Sequence, residues 1–172
     1  MSRSKQSAGL LMFRRGSRGL EVFLVHPGGP FYAGKDEGAW SLPKGEYGEG
    51  EEPLEVARRE FCEETGQTPE QCGASGDFFP LGSIRQPGGK TVHAWAFEGD
   101  WPPGAAFESN AFSLEWPPRS GRREEFPEMD RGEFFDLEAA RRKLRPAQVS
   151  LLDRLTEILG ATDAGPPQPS AT

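Results

Sequence analysis

Pro53 and Gly66 bracket the stretch that most restricts what this chain can fold into. Proline is preorganised for a first helical position, glycine suits the residue just past a helix end, and Pro69 bars continuation. PLEVARREFCEET is therefore expected to be a helix over Pro53–Thr65. At roughly 100° per residue, Leu54, Ala57 and Phe61 share one face, while Glu60, Glu63 and Glu64 share a neighbouring one. The first face can pack. The second is costly, because Glu60 is a like-charged neighbour of both other glutamates and all three lie at the helix end whose dipole repels anions. The penalty is on the order of 1 kcal/mol at low salt. A solvated acidic face tolerates that. A divalent cation converts the repulsion into ligation, since carboxylates are hard oxygen donors suited to Mg²⁺ or Mn²⁺.

Around this helix, SAGLLMF (7–13) and LEVFLVH (20–26) read as strands joined by a turn, and WSL (40–42) as a brief strand stopped by Pro43. DFFPLGSI (77–84) and TVHAWAF (91–97) are strands linked by a Gly88-Gly89 turn, and Glu133–Asp136 is one more. Helical patterns follow over Leu137–Leu144 and Pro146–Leu159, with Gly160 as the stop. Residues 28–39, which include Phe31 and Tyr32 as rings that could lie beside a ligand, read as loop, and residues 99–127 hold no clear element. Strands on both sides of an early helix, with two helices at the end, predict an α/β sandwich with a mixed sheet. With 172 residues, 35% of them hydrophobic, the chain suits one domain over 1–160, leaving ATDAGPPQPSAT (161–172) as a disordered tail.

A net charge of −7 argues against a stable nucleic-acid complex held through the phosphate backbone, but not against a small anionic ligand. Cys62 and Cys72 lack metal-type spacing and are expected to be idle thiols. No apolar run is long enough to span a bilayer, so the expectation is a soluble cytoplasmic protein with no membrane partner.

Gly45, Glu51 and Arg59-Glu60-Phe61-Cys62-Glu63-Glu64-Thr65-Gly66, at this spacing, closely resemble the Nudix box, the signature of Nudix hydrolases. The polar positions Gly45, Glu51, Arg59, Glu60, Glu63, Glu64 and Gly66 are all present. Phe61 and Gln67 stand where the family has smaller aliphatic residues. The resemblance implies the family's α/β/α sandwich and metal-dependent hydrolysis, with Mg²⁺ or Mn²⁺, of a nucleoside diphosphate linked to another moiety, by water attack on phosphorus. It implies Glu60 and Glu64 as the principal metal ligands, Glu63 as ligand or base, the Gly45 carbonyl as a further ligand, and Arg59 paired with Glu51 as a structural brace. A homodimer is also compatible with it.

Outside the box, Lys44 is the candidate for substrate phosphate. A P-loop is excluded because the lysine precedes the glycines, and an EF-hand because its Asp/Asn loop is missing. Many Nudix enzymes add a glutamate from a distant loop. Glu124, Glu125 and Glu128 are the local candidates, of which Glu125 is favoured. Arg119, Arg122 and Arg123 are candidates for distal phosphates. His93, alternating with Trp95 and Phe97, is expected to pack, and His26 has no partner pattern. The entry Trp40-Ser41-Leu42-Pro43-Lys44-Gly45 resembles that of Nudix enzymes acting on dinucleoside polyphosphates and some acting on diphosphoinositol polyphosphates. Nucleoside triphosphates are the remaining substrate alternative. A non-catalytic nucleotide-binding Nudix module is the alternative of another class, and it is disfavoured because no metal-ligand glutamate is missing.

Overall fold

The computed structural model describes residues 5–17 and 19–163. Its elements are β1 (Gln6–Gly16), β2 (Gly19–Pro27), β3 (Lys44–Tyr47), α1 (Pro53–Thr65), β4 (Phe79–Arg85), β5 (Thr91–Glu98), β6 (Ala111–Glu115), β7 (Arg123–Pro127), β8 (Met129–Asp136), α2 (Leu137–Lys143) and α3 (Ser150–Asp163). The main sheet runs β4-β5-β1-β2-β8, with β3 laddered to β1. It is mixed, because β1 runs parallel to β5 and antiparallel to β2 and β3. A separate two-stranded sheet, β6-β7, stands off it.

Strand alternation sorts the core into two layers. Ala8, Leu10 and Met12 of β1, with Phe23, Val25 and Phe97, meet Val56, Ala57 and Phe61 of α1. Leu11 and Phe13, with Val22, Leu24, Val92, Ala94 and Ala96, meet Ala140 of α2 and Leu151, Leu152, Leu155 and Leu159 of α3 on the opposite face. The result is an α/β/α sandwich. Asp136 caps α2, its Oδ1 accepting from Ala139 N at 2.7 Å.

Four sequence expectations are corrected. Residues 99–127 contain β6 and β7, whose polar strands pair with each other and carry little periodic signal. Trp40–Leu42 is not a strand: Ser41 bridges Val25 while Trp40 bridges Leu144, so the two meet different segments, and the ladder begins only at Lys44. The helix expected over Pro146–Leu159 is divided into a 3₁₀ turn (Pro146–Gln148) and α3. Gly160 does not stop α3, which continues through Asp163, and residues 164–172 of the expected tail lie outside the described residues.

Candidate active site

The box helix is built as its ends dictate. Pro53 opens α1, and Gly66 closes it at φ 84, with its N–H donating to Cys62 O at 2.8 Å. No basic residue stands in the last turn to offset the carboxylates there.

Those carboxylates are not left on a solvated face. Glu64 is only 3% exposed. β3 is laddered to β1 alone, and at its other side Lys44 N donates to Glu64 Oε1 at 3.0 Å. Burial pushes the Glu64 carboxyl up to about 8, against the opposing pull of the Lys44 N–H and ammonium. Glu60 lies against the β3 backbone at Gly45, where a Cβ would stand 2.1 Å from Glu60 Cδ, so only glycine leaves room for that carboxylate. Burial, then Glu63, raises the Glu60 carboxyl above its ordinary value. The Glu128 carboxyl is raised by the same two causes, burial first and Glu63 second.

Glu128, which opens into β8, thus joins the box, whereas Glu125 sits exposed on β7 opposite Ser113. A relay of backbone hydrogen bonds brings Glu128 there. Gly28 N donates to Glu128 O, Glu128 N to Asn110 O, and Asn110 N to Glu63 O, at 2.8, 2.7 and 2.8 Å.

Arg59 Nη1 donates to Glu51 Oε1 at 3.2 Å, and Gly48 N to Glu51 Oε2 at 2.9 Å, which ties the loop before α1 to the helix. Arg59 also stands 3.7 Å from Glu60 and 3.8 Å from Glu63. Lys44 points away from α1, because it alternates with Gly45 along β3. Burial and then Lys90 lower the Lys44 ammonium, and Arg145 adds to the repulsion. Lys90 and Arg145 therefore stand within electrostatic reach of Lys44, with Lys90 Nζ also paired to Glu46 Oε1 at 2.9 Å. No local motif marks them, and only the sheet topology assembles them. A cleft of about 290 Å³ is lined by Gly38, Gln86, Pro87, Arg145, Pro146 and Ala147. Arg119 and Arg122 lie exposed at the far end of the β6-β7 hairpin, away from the carboxylates.

The loop over residues 28–39 is anchored by His26, which is fully buried. His26 Nδ1 is 2.9 Å from Asp130 Oδ1, and Nε2 is 2.6 Å from the Lys35 carbonyl. Its ring meets Trp40 edge-on at 5.1 Å. His93 Nε2 reaches Gln6 Oε1 at 2.7 Å. Both cysteines are free, and burial pushes the Cys72 thiol up to about 11. Among the described residues no three His, Cys, Asp or Glu side chains stand in a ligating arrangement as placed, and no helix is long and apolar enough to cross a membrane.

The family profile of the NUDIX domain matches residues 3–155. The chain belongs to the NUDIX family. Hydrolases of this family act on pyrophosphate bonds and generally use divalent metal ions. This NUDIX chain shares its fold with solved structures over nearly its whole length. An Ap4A hydrolase of C. elegans, solved as a binary complex, is 23% identical with a TM-score of 0.62, covering 91% of this chain and 98% of that one. The NUDIX domain of Shewanella oneidensis NrtR, complexed with ADP ribose, is 16% identical with a TM-score of 0.62, covering 92% and 90%. The MutT protein of Methanosarcina mazei Go1 is 19% identical with a TM-score of 0.54, covering 92% and 99%. No curated protein sequence matches significantly.

Proposed function

We propose that this NUDIX protein is a divalent-cation-dependent pyrophosphohydrolase acting on a dinucleoside polyphosphate, with water attacking phosphorus. The observation that carries the reading is the gathering of Glu60 against Gly45, Glu64 on Lys44 N and Glu128 within electrostatic reach of both. All three carboxyls are driven toward their protonated forms by burial, and Glu60 and Glu128 also by Glu63. Carboxylates held that way call for a cation, and their hard oxygens suit Mg²⁺ or Mn²⁺. Glu60, Glu63 and Glu64, with the Gly45 carbonyl, would hold it. When bound, such an ion shields the pyrophosphate, stabilises developing charge and lowers the pKa of a water.

The chain's own groups supply the rest. Glu128, whose proton affinity is raised by burial and by Glu63, takes the proton of the attacking water at its carboxylate. Glu125, exposed on β7, has no such part. Lys44, Lys90 and Arg145 hold phosphate oxygens that the acidic cluster would otherwise repel. Arg59 and Glu51 keep the loop before α1 in place. The choice of a dinucleoside substrate is supported by the Trp40–Gly45 entry and by the fold shared with the C. elegans protein named as an Ap4A hydrolase.

A panel of dinucleoside polyphosphates, nucleoside triphosphates, nucleotide sugars, dinucleotide coenzymes and diphosphoinositols, turned over with Mg²⁺ in ¹⁸O water, tests the reading. Diadenosine tetraphosphate is expected to give the highest kcat/KM, with label in one product. A triphosphate or diphosphoinositol turned over faster would replace the substrate assignment, and turnover of nothing would point to a binding module. In the same assay Glu128→Gln is expected to lose about 10²–10⁴ in kcat. Glu125→Gln is expected to match the unmodified protein.

A further inference from the structure

The β6-β7 hairpin has no part in the chemistry above, yet it is rooted in the carboxylate cluster through the Asn110 N–H on Glu63 O and the Glu128 N–H on Asn110 O. Its five ladder pairs carry the tip about 13 Å from that root. The tip concentrates positive charge in an acidic chain: Arg119, Arg122 and Arg123 lie within WPPRSGRR (116–123), while the whole protein carries −7. Among the described residues none of the three forms an ion pair, and Arg123 Nε donates only to Ser113 Oγ.

The tip is also rigidly shaped. Trp116 N donates to Arg122 O at 2.9 Å and Ser120 N to Pro117 O at 3.1 Å. Gly121 N donates to Glu115 Oε1 and Arg122 N to Ser120 Oγ, both at 3.2 Å. Arg119 takes φ 62, the one non-glycine residue in the left-handed region among the described residues. Glycine would hold that conformation without strain, so the turn carries a cost to keep a guanidinium there.

Beside the tip lies the large hydrophobic side chain with the greatest exposure among the described residues, Phe31 at 60%. Its ring meets Trp116 edge-to-face, centroids 5.6 Å apart at 81°. A lone exposed phenylalanine needs no explanation. One laid on a tryptophan that opens the arginine-rich turn WPPRSGRR combines the two chemistries, aromatic and cationic, that suit a flat base with phosphates attached. The next residue in the loop, Tyr32, also stands with cations, Arg145 5.8 Å and Lys35 5.5 Å from its ring centroid. Arg145 stands within electrostatic reach of Lys44.

We propose that the hairpin tip, formed by Phe31, Trp116, Arg119 and Arg122, is a second nucleotide subsite that holds the far end of the substrate, so that the protein selects nucleotides with a base at each end. Phe31 and Tyr32, consecutive in the loop over residues 28–39, each give one such aromatic and cationic surface, and one-ended nucleotides fill one of them. This rests on the reading of the carboxylate cluster as the pyrophosphate-cleaving site.

Arg119→Gly and Phe31→Ala test it, the first being compatible with the backbone and each checked by its melting midpoint. The readout is the ratio of kcat/KM for diadenosine tetraphosphate to kcat/KM for ATP. Each variant is expected to lower that ratio about tenfold, mainly through KM on the two-ended substrate. A ratio unchanged from the unmodified protein, whether both substrates weaken together or neither does, overturns the subsite. If the unmodified protein cleaves neither compound, the hydrolytic reading falls while the subsite is still measurable by calorimetry. Diadenosine tetraphosphate binding tighter than ATP, with the difference lost in Arg119→Gly, upholds it, and no difference overturns it.

Discussion

The helices α1 and α3 cover opposite faces of one sheet and bury comparable apolar rows, but among the described residues only α1 also buries a carboxyl group. α3 gives Leu151, Leu152, Leu155 and Leu159 to the core and keeps Asp153 outside, paired with Arg141. α1 gives Val56, Ala57 and Phe61 and then places Glu64 at 3% exposure beside β3. Each helix is held by its apolar row. The buried carboxyl of α1 adds nothing to packing and costs free energy whenever it ionises without a partner. Under the proposed function, stability and chemistry are divided between two rows of the same helix, while the described residues of α3 serve stability.

The sharpest way to break this comparison is to exchange what each helix supplies. Glu64→Gln, which preserves the size of the side chain and its acceptor for Lys44 N, is expected to lower kcat by about 10²–10³ with an unchanged circular dichroism spectrum. Leu155→Ala is expected to remove about 2–5 kcal/mol of stability, read from denaturant melts, with the kcat of the folded fraction intact. If the two variants failed in the same assay, the division would be wrong.

A second prediction concerns pH in the metal-free protein. The Glu64 carboxyl is raised from 4.5 to about 8, so the folded state holds a proton that the unfolded chain releases earlier. That contribution to stability is full below about pH 4.5 and is lost as pH rises toward about 8. At pH 8 metal-free Glu64→Gln is therefore expected to melt higher than the unmodified protein by roughly 1 kcal/mol or more, about 2–4 °C, and at pH 4 to melt at the same midpoint. Added Mg²⁺ is expected to stabilise the unmodified protein and not the variant. The smallest effect belongs to α3: Asp153→Ala, at an exposed pair, is expected to move Tm by about 1 °C or less and to leave kcat alone.

What the sequence disclosed follows the same division between local and distant causes. The ends of α1 are legible because Pro53 and Gly66 act within a few residues of themselves. The strands of the main sheet are legible wherever both faces are apolar, as in Leu10–Phe13 and Val22–Val25. β3 escapes notice because KGEY has no strand character of its own and extends only against Gln6–Gly9 of β1. The β6-β7 strands escape because AFSLE and REEFP are largely exposed and pair only with each other. The box glutamates are legible as a set, but the helical wheel places Glu64 on the polar face. Its burial comes from β3, twenty residues earlier in the chain. Glu128 is drawn to the box, and Glu125 is not, by backbone contacts from Asn110 and Gly28 that no local pattern encodes.

The relay from Gly28 through Glu128 and Asn110 to Glu63 has a consequence in time as well as in space. Each of its three amide hydrogens is held by a carbonyl from a different stretch of chain, so none can meet solvent unless two segments part. Hydrogen–deuterium exchange should therefore find these three amides opening together, at one rate. The loop over residues 28–39, the hairpin and the last turn of α1 would then breathe as a single cooperative unit, more slowly than exposed loops of similar length.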